Sequence, residues 1–269
     1  MTSPKIFPKF NIKDYETQHD GTEHLAINNT FIRRLVTRLA LHTTAHFFQR
    51  DGLCVPISKH KIVKAGRRVH LTEVMERIQG DEIPKAWKGL SEESRERVFA
   101  QLRDIFQELR ALTPPPGTGV ESCVQGSLFD SRLPLPHGNP RFGPFKTIQE
   151  FHLWLRKGLT PEELKDRERD QDWHDLQDMM SRQDGPWLPP KFTHGDMNPF
   201  NIIVRGDRVV GIIDWEFAGW YPHYWEFTSA WFGNLTSTEW QGMLERFIDR
   251  PIPEEFKMDQ VRNKYWGEF

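Results

Sequence analysis

Apolar and polar positions change period several times along this chain, and each change marks an element. Two β-branched runs, Ile202-Ile203-Val204 and Val209-Val210-Gly211-Ile212-Ile213, flank Arg205-Gly206-Asp207-Arg208. Short apolar runs on either side of a Gly-Asp pair predict a β-hairpin. After Ser91 and the acidic pair Glu92-Glu93, which complements a positive helix N-terminus, Val98, Leu102, Ile105, Leu109 and Leu112 recur at helical spacing. This predicts a helix with that stripe in the core, stopped by Thr113-Pro-Pro-Pro-Gly117. Thr147-Ile-Gln-Glu150 is a capping box ahead of Phe151, Trp154 and Leu155. Thr160-Pro161-Glu-Glu163 repeats the signal with proline at the first helical position. Residues 166–182 carry dense charge and predict a helix with a solvated face. An aromatic helix is expected at Tyr224–Phe232, and a closing helix at Thr238–Ile248 with Trp240, Leu244 and Phe247 facing in.

The amino-terminal part patterns differently. Residues 1–25 are polar and interrupted by proline, a poorly ordered or adapting segment. Ala26–Val36 is expected to form a strand pair turning at Asn28-Asn29. Residues 37–50 have helical spacing, with Leu41, Ala45 and Phe48 on one side and Gly52 as C-cap. Short strands are expected at Val55–Ile57, Lys61–Val63, Val69–Leu71 and Val74-Met75, with a turn at Ala65-Gly66. The Pro- and Gly-rich stretch 113–146 predicts a long ordered loop over a substrate cleft.

Length and composition narrow the classes. The 269 residues, 37% hydrophobic and 28% charged, suit one large domain or two lobes with an ample core. A formal net charge of -2, with lysine and arginine spread along the chain, points to neither nucleic acid nor an anionic membrane as partner. Cys54 and Cys123 lack metal-ligand spacing and a catalytic context. No apolar signal core opens the chain and no run approaches a membrane span, so a cytoplasmic protein is expected.

The hairpin sharpens the picture. A turn at Gly206-Asp207 pairs Asn201 near Ile212 and leaves Asp214 just beyond the partner strand. An amide oxygen and a carboxylate then meet at one mouth, hard oxygen ligands suited to Mg²⁺ holding nucleotide phosphates. Asp196, in the loop before the first strand, is a candidate acceptor for a substrate hydroxyl proton. Each residue has a plainer reading: Asp196 as a surface carboxylate, Asn201 as a turn former, Trp220 and Tyr221 as core. Asp214 ends an apolar strand, where a carboxylate is costly without a partner.

His194-Gly195-Asp196, then Asn201, then Asp214-Trp215-Glu216 match the order and spacing of kinase-type phosphoryl transfer. With Thr193-His-Gly-Asp, Asn-Ile-Ile-Val and Ile-Ile-Asp-Trp-Glu-Phe-Ala-Gly-Trp-Tyr-Pro222, the chain resembles the aminoglycoside phosphotransferase (APH-like) family, in its fungal branch. The resemblance implies an α/β (α+β), bilobal protein-kinase-like fold, with a small, partly degenerate N-lobe (1–79) and a mostly helical C-lobe (80–269). It implies ATP and Mg²⁺ as cofactors and a small-molecule hydroxyl compound as substrate. Asp196 would be catalytic, and Asn201 and Asp214 would hold the metal. Met75, Glu76, Arg77 and Ile78 would be the hinge whose backbone meets adenine. On residues alone that stretch is an edge strand before a Gly turn. His194 would prop the loop, and the tail to Phe269 would bring polar groups near the substrate.

Related small lobes carry a Gly-rich loop, a phosphate-binding lysine and a helix glutamate that orients it. Here no glycine lies between Gly21 and Gly52, residues 14–58 hold no lysine, and 24–72 hold no glutamate. Arg33, Arg34 or Arg38 are alternative cations, and Lys64 is expected at a hairpin turn. Three functions follow from the residues: an ATP-dependent phosphotransferase, a pseudokinase that keeps the metal loop as a binding module, and a magnesium-dependent phosphoesterase.

Overall fold

The predicted hairpin is the hub of the larger of two units. The computed structural model describes residues 35–36, 39–40, 43, 54–56, 58–59, 61–65, 72–133, 141–165, 168–233 and 238–267. The chain divides after Gly80 into two compact units, 10–80 and, for the described residues, 81–267.

In the first unit, strands β1 (Cys54–Pro56), β2 (Lys61–Ala65) and β3 (Thr72–Glu76) form an antiparallel meander with β2 central. Lys64 lies inside β2, opposite Cys54 and Glu73, and not at the expected turn. Leu35, Val36, Leu39 and Ala40 are helical, which corrects the strand expected through Val36. Leucine and alanine are good helix formers. The expected segment 1–25, the turn at Asn28-Asn29 and the strand Val69–Leu71 lie outside the described residues.

The second unit begins with β4 (Asp81–Glu82) and a single helical turn, α1 (Ile83–Ala86). Helix α2 (Glu92–Ala111) starts at the expected cap, with Ser91 Oγ accepting from the Ser94 amide at 3.2 Å. Its buried stripe is Val98, Phe99, Leu102 and Phe106, while Ile105 and Leu109 are half-buried and Leu112 exposed. The stripe is rotated from the expected one because Phe99 and Phe106 both pack on Phe247. Strands β5 (Leu128–Phe129) and β6 (Arg141–Phe142) pair within the long loop, which is therefore built and not irregular throughout.

Helix α3 (Ile148–Leu155) has the expected Thr147 cap. Thr160–Glu163 forms the expected box, but it opens only a turn of 3₁₀-helix, Pro161–Leu164. Helix α4 (Gln171–Gln183) starts at Asp170, whose carboxylate takes the Trp173 amide at 2.8 Å. Its face is not simply solvated: Leu176, Met179, Met180 and Gln183 are buried. The four recur at helical spacing, a stripe that the surrounding charge hides.

Then follow β7 (Lys191–Thr193), β8 (Ile202–Arg205), β9 (Arg208–Ile212) and β10 (Gly219–Tyr221). Helices α5 (Trp225–Phe232), α6 (Thr238–Leu244) and α7 (Pro253–Trp266) close the unit. β4, β8 and β9 form one antiparallel sheet, and β7 pairs with β10. Gly206, at φ 59°, takes the first central position of the hairpin turn, where a type II′ turn needs positive φ. Asp207 beside it accepts from Arg97 Nε at 2.6 Å, which docks the turn on α2.

Two apolar clusters result. One joins α2, the hairpin, α5 and α6 through Leu102, Ile202, Val204, Phe227, Trp240 and Phe247. The other joins α3, α4, α5 and α7 around Phe151, Met180, Tyr224, Trp225 and Met258. No described helix is long and apolar enough to cross a membrane.

The second cluster encloses His152. Its Nδ1 lies 3.0 Å from the Gln183 carbonyl, an acceptor only, so that nitrogen carries the proton and Nε2 accepts from Tyr224 Oη at 2.9 Å. Burial lowers its pKa from 6.5 to about 4, opposed by the Gln183 bond and Asp259, while Arg156 adds to the lowering. A folded-state pKa below the unfolded one means that the unfolded chain takes up the proton first as pH falls. Stability is therefore full above pH 6.5 and declines between 6.5 and about 4. At ~1.4 kcal/mol per pKa unit the loss is roughly 3 kcal/mol. Urea unfolding at stepped pH is expected to show that decline, and His152→Phe to flatten it; an unchanged slope in the variant would assign the acid sensitivity elsewhere.

Candidate active site

The loop between β7 and β8 is held from both sides. His194 is fully buried, and its Nε2 donates to the Ile213 carbonyl at 3.0 Å, so Nδ1 is the acceptor for the Asp196 amide at 3.2 Å. One imidazole thus ties the Asp196 loop to the residue before Asp214, the propping role expected of it. Gly195 has φ 84°, and a Cβ there would come within 2.8 Å of the Phe217 carbonyl oxygen, so only glycine fits without a shift. Met197 is buried in the core and its carbonyl accepts from Trp240 Nε1 at 3.1 Å. Asn198 caps the 3₁₀ turn Pro199–Asn201 by accepting the Phe200 amide at 2.9 Å.

Asp196 and Asn201 come together as expected. Asn201 Nδ2 lies 2.8 Å from the Asp196 carbonyl oxygen and 3.0 Å from its Oδ2. Both partners are acceptors, so the amide nitrogen faces them and Oδ1 points the other way. The hairpin register is shifted by one residue from the expected one: a β-bulge between Ile203 and Val204 pairs Ile202, and not Asn201, with Ile212, and the Ile213 amide donates to the Asn201 carbonyl at 2.9 Å. Asp214 is the next residue beyond that rung. It is exposed and left-handed (φ 65°, ψ 61°), a conformation that aspartate tolerates better than most residues. Its strain re-aims the chain into the 3₁₀ turn Trp215–Phe217. Trp220 and Tyr221 are core residues; Trp215 is partly exposed, its indole donating to the Ile212 carbonyl at 2.9 Å.

The donor types at this end of the hairpin are hard oxygens. Among the described residues no group of three or more His, Cys, Asp or Glu could hold a metal, so a dedicated side-chain cage is not present there. An amide oxygen and one carboxylate suit a cation that keeps waters and phosphate oxygens as its other ligands. Met75 and Glu76 end β3, and Arg77 and Ile78 follow it, in the 10–80 unit.

Two residues of this site escaped the sequence analysis. Glu226, 1% exposed on α5, accepts the His194 amide at 2.7 Å and the Gly195 amide at 3.2 Å. Its signal was a lone carboxylate in an aromatic-rich helix, where a buried charge needs a partner. Arg132, from the long loop, reaches Asp196 Oδ1 at 3.1 Å and the Gly195 carbonyl. Nothing in its local sequence marks it. Burial works against its charge, but hydrogen bonds and the charge of Asp130, with Asp196 beyond, more than offset this and raise its pKa. Behind the loop, burial lowers the pKa of Arg110, opposed by the charges of Glu226 and Asp249.

The sequence model of the phosphotransferase enzyme family (APH) matches residues 35–262. The chain belongs to this family, and with it to the protein-kinase-like superfamily. No curated protein sequence matches it. Among solved structures, aminoglycoside phosphotransferase APH(4)-Ia is 15% identical over 83% of this chain and 72% of its own, with a TM-score of 0.46. The streptomycin–ATP–APH(2")-IIa ternary complex is 12% identical over 85% of each chain, also with a TM-score of 0.46. A thermostable APH(4)-Ia mutant in ternary complex with ADP and hygromycin B is 15% identical over 70% of this chain, with a TM-score of 0.45. The chain spans about 60% of the length of that mutant.

Proposed function

We propose that this protein transfers the terminal phosphoryl group of ATP to a hydroxyl of a small molecule. The observation that carries this reading is the hydrogen-bonded link from Asp196 through Asn201 and His194 to the residue before Asp214. Two separate stretches of chain, 194–201 and the end of the hairpin at Ile213, meet there, within a family of phosphotransferases. Asp196 orients the acceptor hydroxyl and takes its proton as the oxygen bonds to the terminal phosphorus and the bond to ADP breaks. Asn201 Oδ1 and the Asp214 carboxylate would hold Mg²⁺, which when bound neutralises the phosphate charge. The backbone of Met75, Glu76, Arg77 and Ile78 would meet adenine. Residues 1–79 would then be the nucleotide-binding lobe and 80–269 the catalytic lobe, working in the cytoplasm without nucleic acid or membrane. The rate gain comes from positioning and preorganised charge. The binding-only alternative rests on the missing Gly-rich loop, lysine and glutamate of the small lobe, and the family match does not favour it.

Thermal unfolding with and without MgATP, beside Asp214→Ala, tests this. Nucleotide at a hundredfold its Kd stabilises by about 2.7 kcal/mol, which at this chain length is a midpoint rise of roughly 5–10 °C. The rise should depend on Mg²⁺ and vanish in the variant. No rise at millimolar MgATP would overturn the reading. A screen of hydroxyl compounds for phosphate transfer then identifies the acceptor.

A further inference from the structure

We infer that Arg132 is a positioning residue that fixes the working orientation of the Asp196 carboxylate; this rests on the phosphotransfer reading above. Its guanidinium is a fork with one handle. Nε and Nη2 pair with Asp130 Oδ1 at 2.9 Å and Oδ2 at 2.8 Å, and Asp130 is 2% exposed. The Arg132 amide donates to the same Asp130 Oδ1 at 3.0 Å. A planar group held at two nitrogens has no freedom left for the third, and Nη1 points at Asp196 Oδ1, 3.1 Å away. The guanidinium carbon sits 4.6 Å from the centre of the Phe217 ring, three residues past Asp214. Gly233 completes the wall: a Cβ there would come 2.8 Å from Nη1.

The consequence lies in the acceptor sites of Asp196. An ionised carboxylate offers about four acceptor directions. Asn198 and Asn201 each donate to Oδ2 at 3.0 Å, and Arg132 fills one direction of Oδ1. Among the described residues the remaining direction, on Oδ1, is the one open to an acceptor hydroxyl. Arg132 thus decides which oxygen works and where it points. A lysine keeps the charge beside Asp130 but has no fork with which to reach Asp196 and the Gly195 carbonyl together.

The rival reading is that Arg132 only neutralises the buried Asp130. Arg132→Met, Arg132→Ala and Arg132→Lys in the full chain separate the two. The probes are phosphate release from MgATP with water as acceptor, and amide exchange of peptides covering 193–201 without nucleotide. Misplacing a reacting group by an ångström costs about a hundredfold in rate. The expected result is a kcat about 10²-fold lower in Arg132→Met, a KM for MgATP within about threefold of wild type, and faster exchange of 193–201. Arg132→Lys should share the kcat loss, and it is the variant to use where Arg132→Met does not fold. Millimolar methylguanidinium should restore at least about tenfold of the activity of Arg132→Ala and leave wild type unchanged, which a purely structural arginine would not show. A wild type without turnover would count against the phosphotransfer reading, and the exchange measurement would still decide the clamp. Unchanged exchange in a folded Arg132 variant, or a wild-type kcat in Arg132→Lys, would overturn the inference.

Discussion

Asp196→Asn is expected to lower phosphoryl transfer by about 10²–10⁴-fold, the range for removing a positioned proton acceptor. The amide has nearly the shape of the carboxylate but cannot take the hydroxyl proton. The surrounding donors make the loss specific. Arg132, Asn198 and Asn201 all donate to Asp196, so an amide must turn its NH₂ toward at least one of them. Nucleotide binding should survive, because Asp196 is not among the groups assigned to metal or adenine. The Mg²⁺-dependent midpoint rise should therefore persist in Asp196→Asn and disappear in Asp214→Ala. Steady-state turnover measured beside both melting curves checks this. An Asp196→Asn protein within tenfold of wild-type turnover would show that another group takes the proton.

The second large effect concerns Glu226. Glu226→Ala removes the acceptor of two buried amides at the start of the loop that carries Asp196. Each buried donor left unpaired costs about 1–3 kcal/mol, so a total of about 2–6 kcal/mol is expected. Glu226→Gln should cost less, since its carbonyl oxygen still serves one amide. Activity should fall further than the folded fraction, because the same bonds hold His194 and Gly195 in register with Asp196. Urea unfolding, with turnover measured where the variant is fully folded, tests both parts. A cost under 1 kcal/mol would mean that other groups hold the loop.

How far the fold and the site can be read from the sequence depends on the range of each interaction. That Asn201 and Asp214 lie near each other was legible because the hairpin joining them is local, with a two-residue turn; the bulge that shifts its register by one residue was not. The caps at Ser91 and Thr147 were legible for the same reason, as each side chain bonds an amide three residues on. The rotated stripe of α2 was not, because Phe247, distant in sequence, chooses which helix face is covered. The buried face of α4 was hidden by its charge and appears only once α3 and α7 pack against it.

The sequence by itself determined the hairpin, the caps, the order of the polar motif and the family. These depend on spacing within a few residues, or on residue types in a fixed order. Only the tertiary structure decided how the site is held. Arg132, Asp130, Glu226 and Trp240 come from a loop and two helices remote from Asp196 in sequence, and no local pattern records that they meet. Their geometry is set by how the two apolar clusters pack, and side-chain packing across long sequence separations has no periodicity to read.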